Sequence, residues 1–324
     1  MGNYSFLMSE HFLDRSEVVN RWNPSYPPRL RVAPGDILRI EMRDASDGQV
    51  YPEMTLEAFS RMDRTRVHAL TGPVAVEGAE PGDRLVIDLL SYEHEGWAWT
   101  SIMPDLGLLP EDFPDPFLHI WHLEAEHTES MPGLRIPLQP FCGILGVQPL
   151  IEGESRTRPP GIHGGNMDVR HLTAGNQLHL PVLHPGGGLC AGDAHAAQGD
   201  GEVSINGMEA PMTVRLRVDL VKKAPITGPF VHCRTPLEPE IFRTSAHHAF
   251  VGSHENPREA AKDVVRRAID YLCRRLGLSP EQAYVTCSVV LRLKVSQLVN
   301  LPMTTITGYL PEAIFLEPST SLPG

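Results

Sequence analysis

The sequence predicts a mainly β protein: a sandwich- or barrel-like β-rich core followed by a mixed α+β C-terminal portion. Three observations carry this. Short stretches of alternating polar and apolar residues recur between Pro-Gly turn signals. The 324 residues include 28 Gly and 30 Pro, too many chain breakers for a helical bundle. After Asn256 the apolar period lengthens from two to about 3.6 residues, the change from strand to helix.

Taken in order, residues 29–32 and 37–42 are strand-like and flank the turn Ala33-Pro34-Gly35-Asp36. The same device returns at Glu80-Pro81-Gly82-Asp83, which leads into Leu85-Val86-Ile87-Asp88-Leu89. Pro before Gly suits a type II turn, and the two copies suggest a core built from hairpins. Residues 96–129 hold Trp97, Trp99 and Trp121 among repeated Pro, Asp and His, and read as a long irregular excursion, either a lid or aromatic packing over an open end of the β core, rather than a disordered linker.

Further on, Lys222-Lys223-Ala224-Pro225 marks a boundary between a β-rich domain at residues 1–221, which carries the active site, and an α+β portion at residues 222–324 packed on it. In that portion Asn256 caps a helix with Pro257 at its first position. Ala261, Val264, Ala268, Leu272 and Leu276 form its apolar stripe, and Gly277 ends it. Ser279 with Gln282 makes a capping box for a second helix, and residues 289–295 read as a strand.

The formal charge is −12, which argues against a broad nucleic-acid or anionic-membrane surface. No run approaches the ~20 apolar residues of a membrane helix, and residues 1–10 lack the pattern of a signal peptide. Five cysteines (Cys142, Cys190, Cys233, Cys273, Cys287) are scattered without a Cys-x-x-Cys pair. A disulfide framework is therefore not expected and a reducing cytoplasm is.

Chemistry concentrates between His163 and Glu209. Residues two apart on a strand face the same way, so Asn166 would point with Asp168 and Asp193 with His195. Two such strands could converge carboxylate, amide and imidazole on one point, a set that suits zinc or a harder divalent cation. Small neighbours (Ala194, Ala196, Ala197) give His195 no reason to be a solvated polar residue. A cysteine nucleophile is the rival: Cys190 lies near His195, but no helix N-terminus or adjacent cation is there to form its thiolate. A serine triad lacks a Gly-x-Ser-x-Gly elbow.

Two strings carry a resemblance: His163-Gly164-Gly165-Asn166-Met167-Asp168, and the run from Gly192-Asp193-Ala194-His195 to Gly199-Asp200-Gly201-Glu202. With Thr71-Gly72-Pro73 preceded by His68, they resemble the signature segments of the acetamidase/formamidase family, over nearly the full chain. The resemblance implies a metal-dependent amidohydrolase that hydrolyses small linear amides to carboxylate and ammonia. It also implies a β-rich fold, a homo-oligomer, and a divalent metal: zinc, with calcium as a second candidate ion.

Residue by residue, Asn166 and Asp168 match the family's Gly-Gly-Asn-x-Asp element and His195 its Gly-Asp-x-His element. Glu202 ends its Gly-Asp-Gly-Glu element, Glu209 matches a further glutamate, and His68 the histidine before Thr-Gly-Pro. On that basis His68, Asp168, His195 and Glu209 are expected to hold metal, with Glu209 otherwise orienting a ligand histidine. Asn166 would orient substrate, and Glu202 would act as general base and then acid. Two stretches depart from the family pattern: Val203-Ser204-Ile205-Asn206-Gly207-Met208, and the tryptophan-rich residues 97–121.

Most other histidines read as packing, turn or surface residues: His119, His122, His127, His179 and His184. His247, His248 and His254 form a loose cluster read as a loop before the C-terminal helix. The alternative to an enzyme is a non-catalytic β-rich binding protein whose metal site is closed and structural.

Overall fold

The structure, a computed structural model, describes residues 9–317; residues 1–8 and 318–324 lie outside the described residues, and with them most of the stretch read for a leader peptide. Two sheets form the core. The first has six strands in the order β1 (Glu10–Leu13), β4 (Ile37–Met42), β16 (Met212–Val221), β6 (Arg84–His94), β14 (Gln177–Pro181) and β17 (Phe230–His232). Its strands β4 and β16 alternate between buried and less buried positions, as a sheet with one wetter face must.

The second sheet runs β13 (Gly164–Asn166), β11 (Phe141–Gly146), β15 (Leu189–His195), β5 (Leu70–Val76) and β3 (Leu30–Val32). Here β5, β11 and β15 are buried along their whole length. Polar side chains on β15 are therefore shut away from bulk water, which sets the electrostatics of everything below.

Both Pro-Gly-Asp turns are corners between the two sheets, and this corrects the expectation of hairpins. Residues 33–36 carry the chain from β3 to β4, and residues 80–83 from β5 to β6, each time from the second sheet to the first. The turn chemistry is as read: Gly35 has φ +94° and Gly82 φ +93°, where type II turns need glycine. Asp36 Oδ2 accepts from the Ala33 amide at 2.9 Å, and Asp83 Oδ2 from the Glu80 amide at 2.8 Å. A turn sets local direction; it does not choose the next strand's partner.

The tryptophan-rich stretch is likewise not one irregular excursion. Strands β7 (Trp97–Ile102) and β8 (Phe117–His122) pair antiparallel, with Trp99 opposite Ile120. Aromatic and branched side chains fit a pleated surface, and Pro104, Pro110, Pro114 and Pro116 fall in the connection between the strands. Two-residue ladders join β2 (Arg21–Trp22) to β12 (Ser155–Arg156), and β9 (His127–Thr128) to β10 (Ile136–Pro137).

Two short helices, α1 (Leu56–Ser60) and α2 (Glu240–Arg243), precede the main helical pair. In α3 (Pro257–Leu276) Asn256 Oδ1 accepts from the Arg258 amide at 2.8 Å, and Gly277 closes the helix at φ +67°. Its buried face includes Val264, Ala268 and Leu272, which pack it on the three-stranded sheet β18 (His247–His254), β20 (Thr304–Pro311), β19 (Arg292–Gln297). The capping box opens α4 (Pro280–Val290), with Ser279 and Gln282 bonded reciprocally at 3.0 and 3.2 Å.

Here two expectations change. The helix runs through Val290, so the strand expected at residues 289–295 begins only at Arg292; a helix buried from Ala283 onward tolerates β-branched residues because packing outweighs propensity. His247, His248 and His254 lie on strand β18 rather than in a loop. After residue 222 the chain re-enters the six-stranded sheet, where β17 pairs with β14. Among the described residues, no helix is long and apolar enough to cross a membrane.

Candidate active site

One cavity, about 570 Å³ counting the open space at its mouth, is lined by His68, Asn166, Asp168, Asp193, Glu202 and Glu209, together with Arg158 and Asn206. Beneath them lies His195, fully buried at the end of β15. Its Nε2 stands 2.8 Å from Glu209 Oε1, 3.9 Å from Asp193 Oδ1 and 4.0 Å from Glu202 Oε1. His68 Nε2 lies 3.9 Å from Asp193 Oδ2, while its Nδ1 is 3.2 Å from Thr157 Oγ1.

Backbone geometry makes this convergence possible. β13 ends at Asn166, so Asp168 lies just beyond the strand and not in register with Asn166 as strand parity suggested. Asp168, Asp193, Glu202 and Ile205 have φ of 48°, 54°, 46° and 109°. Such conformations cost on the order of 1–3 kcal/mol each for a residue with a side chain. Gly143 on β11 leaves room for the approach: a Cβ there would come within 2.6 Å of Asp168 Oδ1 and 2.7 Å of His195 Cε1.

Helix α4 holds the segment that bears Glu202. The Tyr284 hydroxyl donates to Val203 O at 2.5 Å and accepts from the Leu108 and Leu109 amides at 3.0 Å. Ser288 Oγ donates to Asn206 O and accepts from the Ser204 amide. Asn206 in turn bonds Ser101 on β7. Glu209 is fixed between strands, exchanging backbone bonds of 2.8 and 2.9 Å with Trp99. Trp99, whose Nε1 donates to Asp44 Oδ1 at 3.0 Å, forms the cavity's apolar wall with Ala45, Val67, Met103 and Ile205.

The electrostatics follow from many acids in little water. Burial pushes the Asp168 carboxyl up to about 7, aided by Asp193 and opposed by His195. Burial likewise lifts Glu209 to about 8 against the pull of His195. Burial, then the Asp168 charge, holds Glu202 well above the carboxylate range. For His195 burial favours the neutral ring, yet Glu209, Asp193 and Glu202 outweigh it and raise its pKa well above the ordinary value. Burial lowers that of His68.

The donor set fits a divalent cation. One ligand atom each from Asp168, Asp193 and His195 lies within 4.8 Å of the others, and the same holds for His195, Glu202 and Glu209. Asp168 Oδ1, Glu209 Oε2, Asn166 Oδ1 and His195 Nδ1 are buried without a hydrogen-bond partner. Buried polar atoms are seldom left so.

All the residues named from the sequence thus stand at one place, with Glu209 bonded to His195. Sequence reasoning paired Asp193 with His195 but gave it no role. It missed Gly143, Arg158 and the apolar wall of Trp99, Met103 and Ile205; the wall lies in the two stretches that depart from the family motifs. The rival nucleophile fails: Cys190 packs among Trp22, Leu70 and Ile144, and burial pushes its thiol up to about 12. Other histidines have structural partners. His119 meets Trp121 edge-on, His179 stacks on Phe230, His184 bonds Pro149 O at 2.8 Å, and His248 bonds the Tyr271 hydroxyl at 2.8 Å.

Known proteins resemble this chain in sequence and fold. The sequence profile of the acetamidase/formamidase family matches residues 8–153 and 150–317. A formamidase of Methylophilus methylotrophus is 28% identical, over 92% of this chain and 89% of that protein. An acetamidase of Mycolicibacterium smegmatis is 29% identical, over 82% and 84%. Among solved structures, a gamma lactamase from Delftia acidovorans superposes with a TM-score of 0.88 at 26% identity, over 96% and 95% of the two chains. An acetamidase from Bacillus halodurans gives 0.66 at 31% identity, over 93% and 97%.

Proposed function

We propose that this chain, which belongs to the acetamidase/formamidase family, hydrolyses small linear amides to carboxylate and ammonia with the help of a bound divalent cation. Family and relatives make it an amide hydrolase acting on carbon–nitrogen bonds. The observation that carries the finer reading is the surplus of unpartnered buried carboxylate and imidazole atoms around His195.

Asp168, Asp193, His195 and His68 would hold the cation, with zinc the first candidate and calcium the second. Bound there, it would polarise an amide carbonyl and ease the deprotonation of water. Glu209 holds His195 through Nε2 and so aims the imidazole. Asn166 orients the substrate with a side-chain amide that can both donate and accept. Glu202 takes the proton of the attacking water and delivers it to the departing nitrogen. Its raised pKa suits the second step, because a carboxyl that keeps its proton near neutrality can act as an acid.

The test is ammonia release from formamide, acetamide and butyramide, run alongside metal analysis of the purified protein. Well-metallated protein that released no ammonia from any of them would overturn the reading. One observation favours a second substrate class: the TM-score of 0.88 to the gamma lactamase exceeds the 0.65 to 0.67 found for three acetamidases. Opening a γ-lactam breaks the same bond but releases no ammonia, so that arm must detect the new amine.

We also read the chain as a cytoplasmic homo-oligomer. All five cysteines are free thiols, as suits a reducing compartment. The β19–β20 turn exposes Leu298, Val299 and Leu301 at 57%, 82% and 84%, beside Val295. An apolar patch of that kind is a natural contact between copies. Sedimentation should show an oligomer that Leu301→Glu weakens; a monomeric parent protein would overturn this.

A further inference from the structure

Among the residues lining the active-site cavity, Arg158 stands apart. It is exposed at the cavity mouth, near Val67 and His68, and among the described residues it forms no ion pair and no hydrogen bond. It also has basic company. Arg21 and Arg156 are cross-strand partners in the β2–β12 ladder. Arg21 Nη1 donates to Thr65 O at 3.0 Å, which places it between Arg64 and Arg66. Of these, Arg66 is committed to Asp47. A protein of net charge −12 thus sets four further arginines close in the fold to the one arginine that lines this acidic cavity.

The cavity's three surfaces are ordered. At the floor stand the residues assigned to the amide, along one side runs the apolar wall of Val67, Trp99 and Met103, and at the mouth waits an uncommitted guanidinium. We propose that the substrate is the monoamide of an aliphatic dicarboxylic acid, its amide at the floor, its methylenes on the wall, and its distal carboxylate on Arg158. The planar fork of arginine matches a carboxylate in two parallel hydrogen bonds. A positive rim would also steer an anion toward an otherwise acidic protein. The idea rests on the amidase reading, since only a cation-loaded floor would tolerate an anionic substrate.

The chemistry balances simply. Water adds at the amide carbon, the C–N bond breaks, the nitrogen gains a proton and leaves as ammonia, and the dicarboxylate remains.

The test compares succinamate with butyramide, its neutral counterpart of similar length, using purified metal-loaded protein. In the parent protein kcat/KM for succinamate should exceed that for butyramide, and added salt should erode the difference. Arg158→Gln should cut the succinamate-to-butyramide ratio by about 10- to 100-fold, the range expected for hydrogen bonds to a charged group. Arg158→Lys, which keeps the charge but loses the fork, should fall between. Hydrolysis of butyramide with no preference for succinamate, or a ratio that Arg158→Gln leaves alone, overturns the anion subsite and leaves the amidase standing. No hydrolysis of either amide overturns both.

Discussion

Two buried clusters of charge flank residues 198–202, and they are opposites. On one side Arg170 and Arg292 face Asp200 and Glu238, two cations to two anions. Arg170 Nε donates to Asp200 Oδ1 at 2.8 Å, and both arginines reach Glu238. Their remaining N–H groups find the carbonyl oxygens of Leu237, Gln198 and Val290. On the other side four acids crowd two histidines, and Asp168 Oδ1, Glu209 Oε2 and His195 Nδ1 have no partner. The first cluster is balanced within the chain and is structural. The second carries a surplus, which in a buried place calls for a partner from outside. The balanced cluster also serves the other, because Asp200 anchors the chain two residues before Glu202.

The sharpest way to separate the clusters is to change one member of each. Glu202→Gln keeps the shape and removes the acid–base group, so kcat should fall by about 10²- to 10⁴-fold. The melting temperature should hold or rise, since one buried ionisable carboxyl is gone from a crowded acidic cluster. A kcat within threefold of the parent would end the acid–base assignment for Glu202.

In the paired cluster Arg170→Met should act the other way round. It strands Asp200 and leaves Glu238 with Arg292 alone, both acids partly screened, and should cost about 2–4 kcal/mol of stability. Denaturant unfolding reads this as a lower midpoint at similar slope. An unchanged midpoint would mean that the pairing is not structural.

The smallest effect concerns pH. Asp168 and Glu209 are raised from 3.8 and 4.5 to about 7 and about 8, and His195 is raised as well. A group with a higher pKa when folded stabilises the fold below its unfolded value. It loses that contribution as pH rises through the folded value. The sign is the same for all three groups. Chelator-treated protein should therefore melt at a lower temperature at pH 8 than at pH 5, by roughly 5 °C. Added zinc should remove most of the gap. Equal melting at both pH values without metal would contradict the surplus of charge.

Much of the site was legible in the chain. His195 stands out because it sits among alanines, where a polar side chain has no ordinary solvent-facing purpose; Asp168 shares strand parity with Asn166, and Glu202 and Glu209 are legible through the family's motifs. The helix ends at Asn256, Gly277 and Ser279 were legible too, since a cap depends on residues within three positions of it. Asp193 was half legible: parity placed it beside His195, but its left-handed backbone is set by the packing of β15 against β11. Trp99 was marked only as part of a tryptophan-rich stretch and Arg158 left no local mark, for a cavity wall is made by whatever distant segments the fold brings alongside.

The sequence by itself determined turn types, helix caps and the residues available for chemistry, all of which depend on near neighbours along the chain. Only the tertiary structure decided that the Pro-Gly-Asp turns are corners, that residues 97–121 hold a paired hairpin, and that α4 buttresses the segment bearing Glu202. The reason is energetic. Strand pairing and burial are settled by contacts between residues far apart in sequence, and the same alternating pattern satisfies more than one partner.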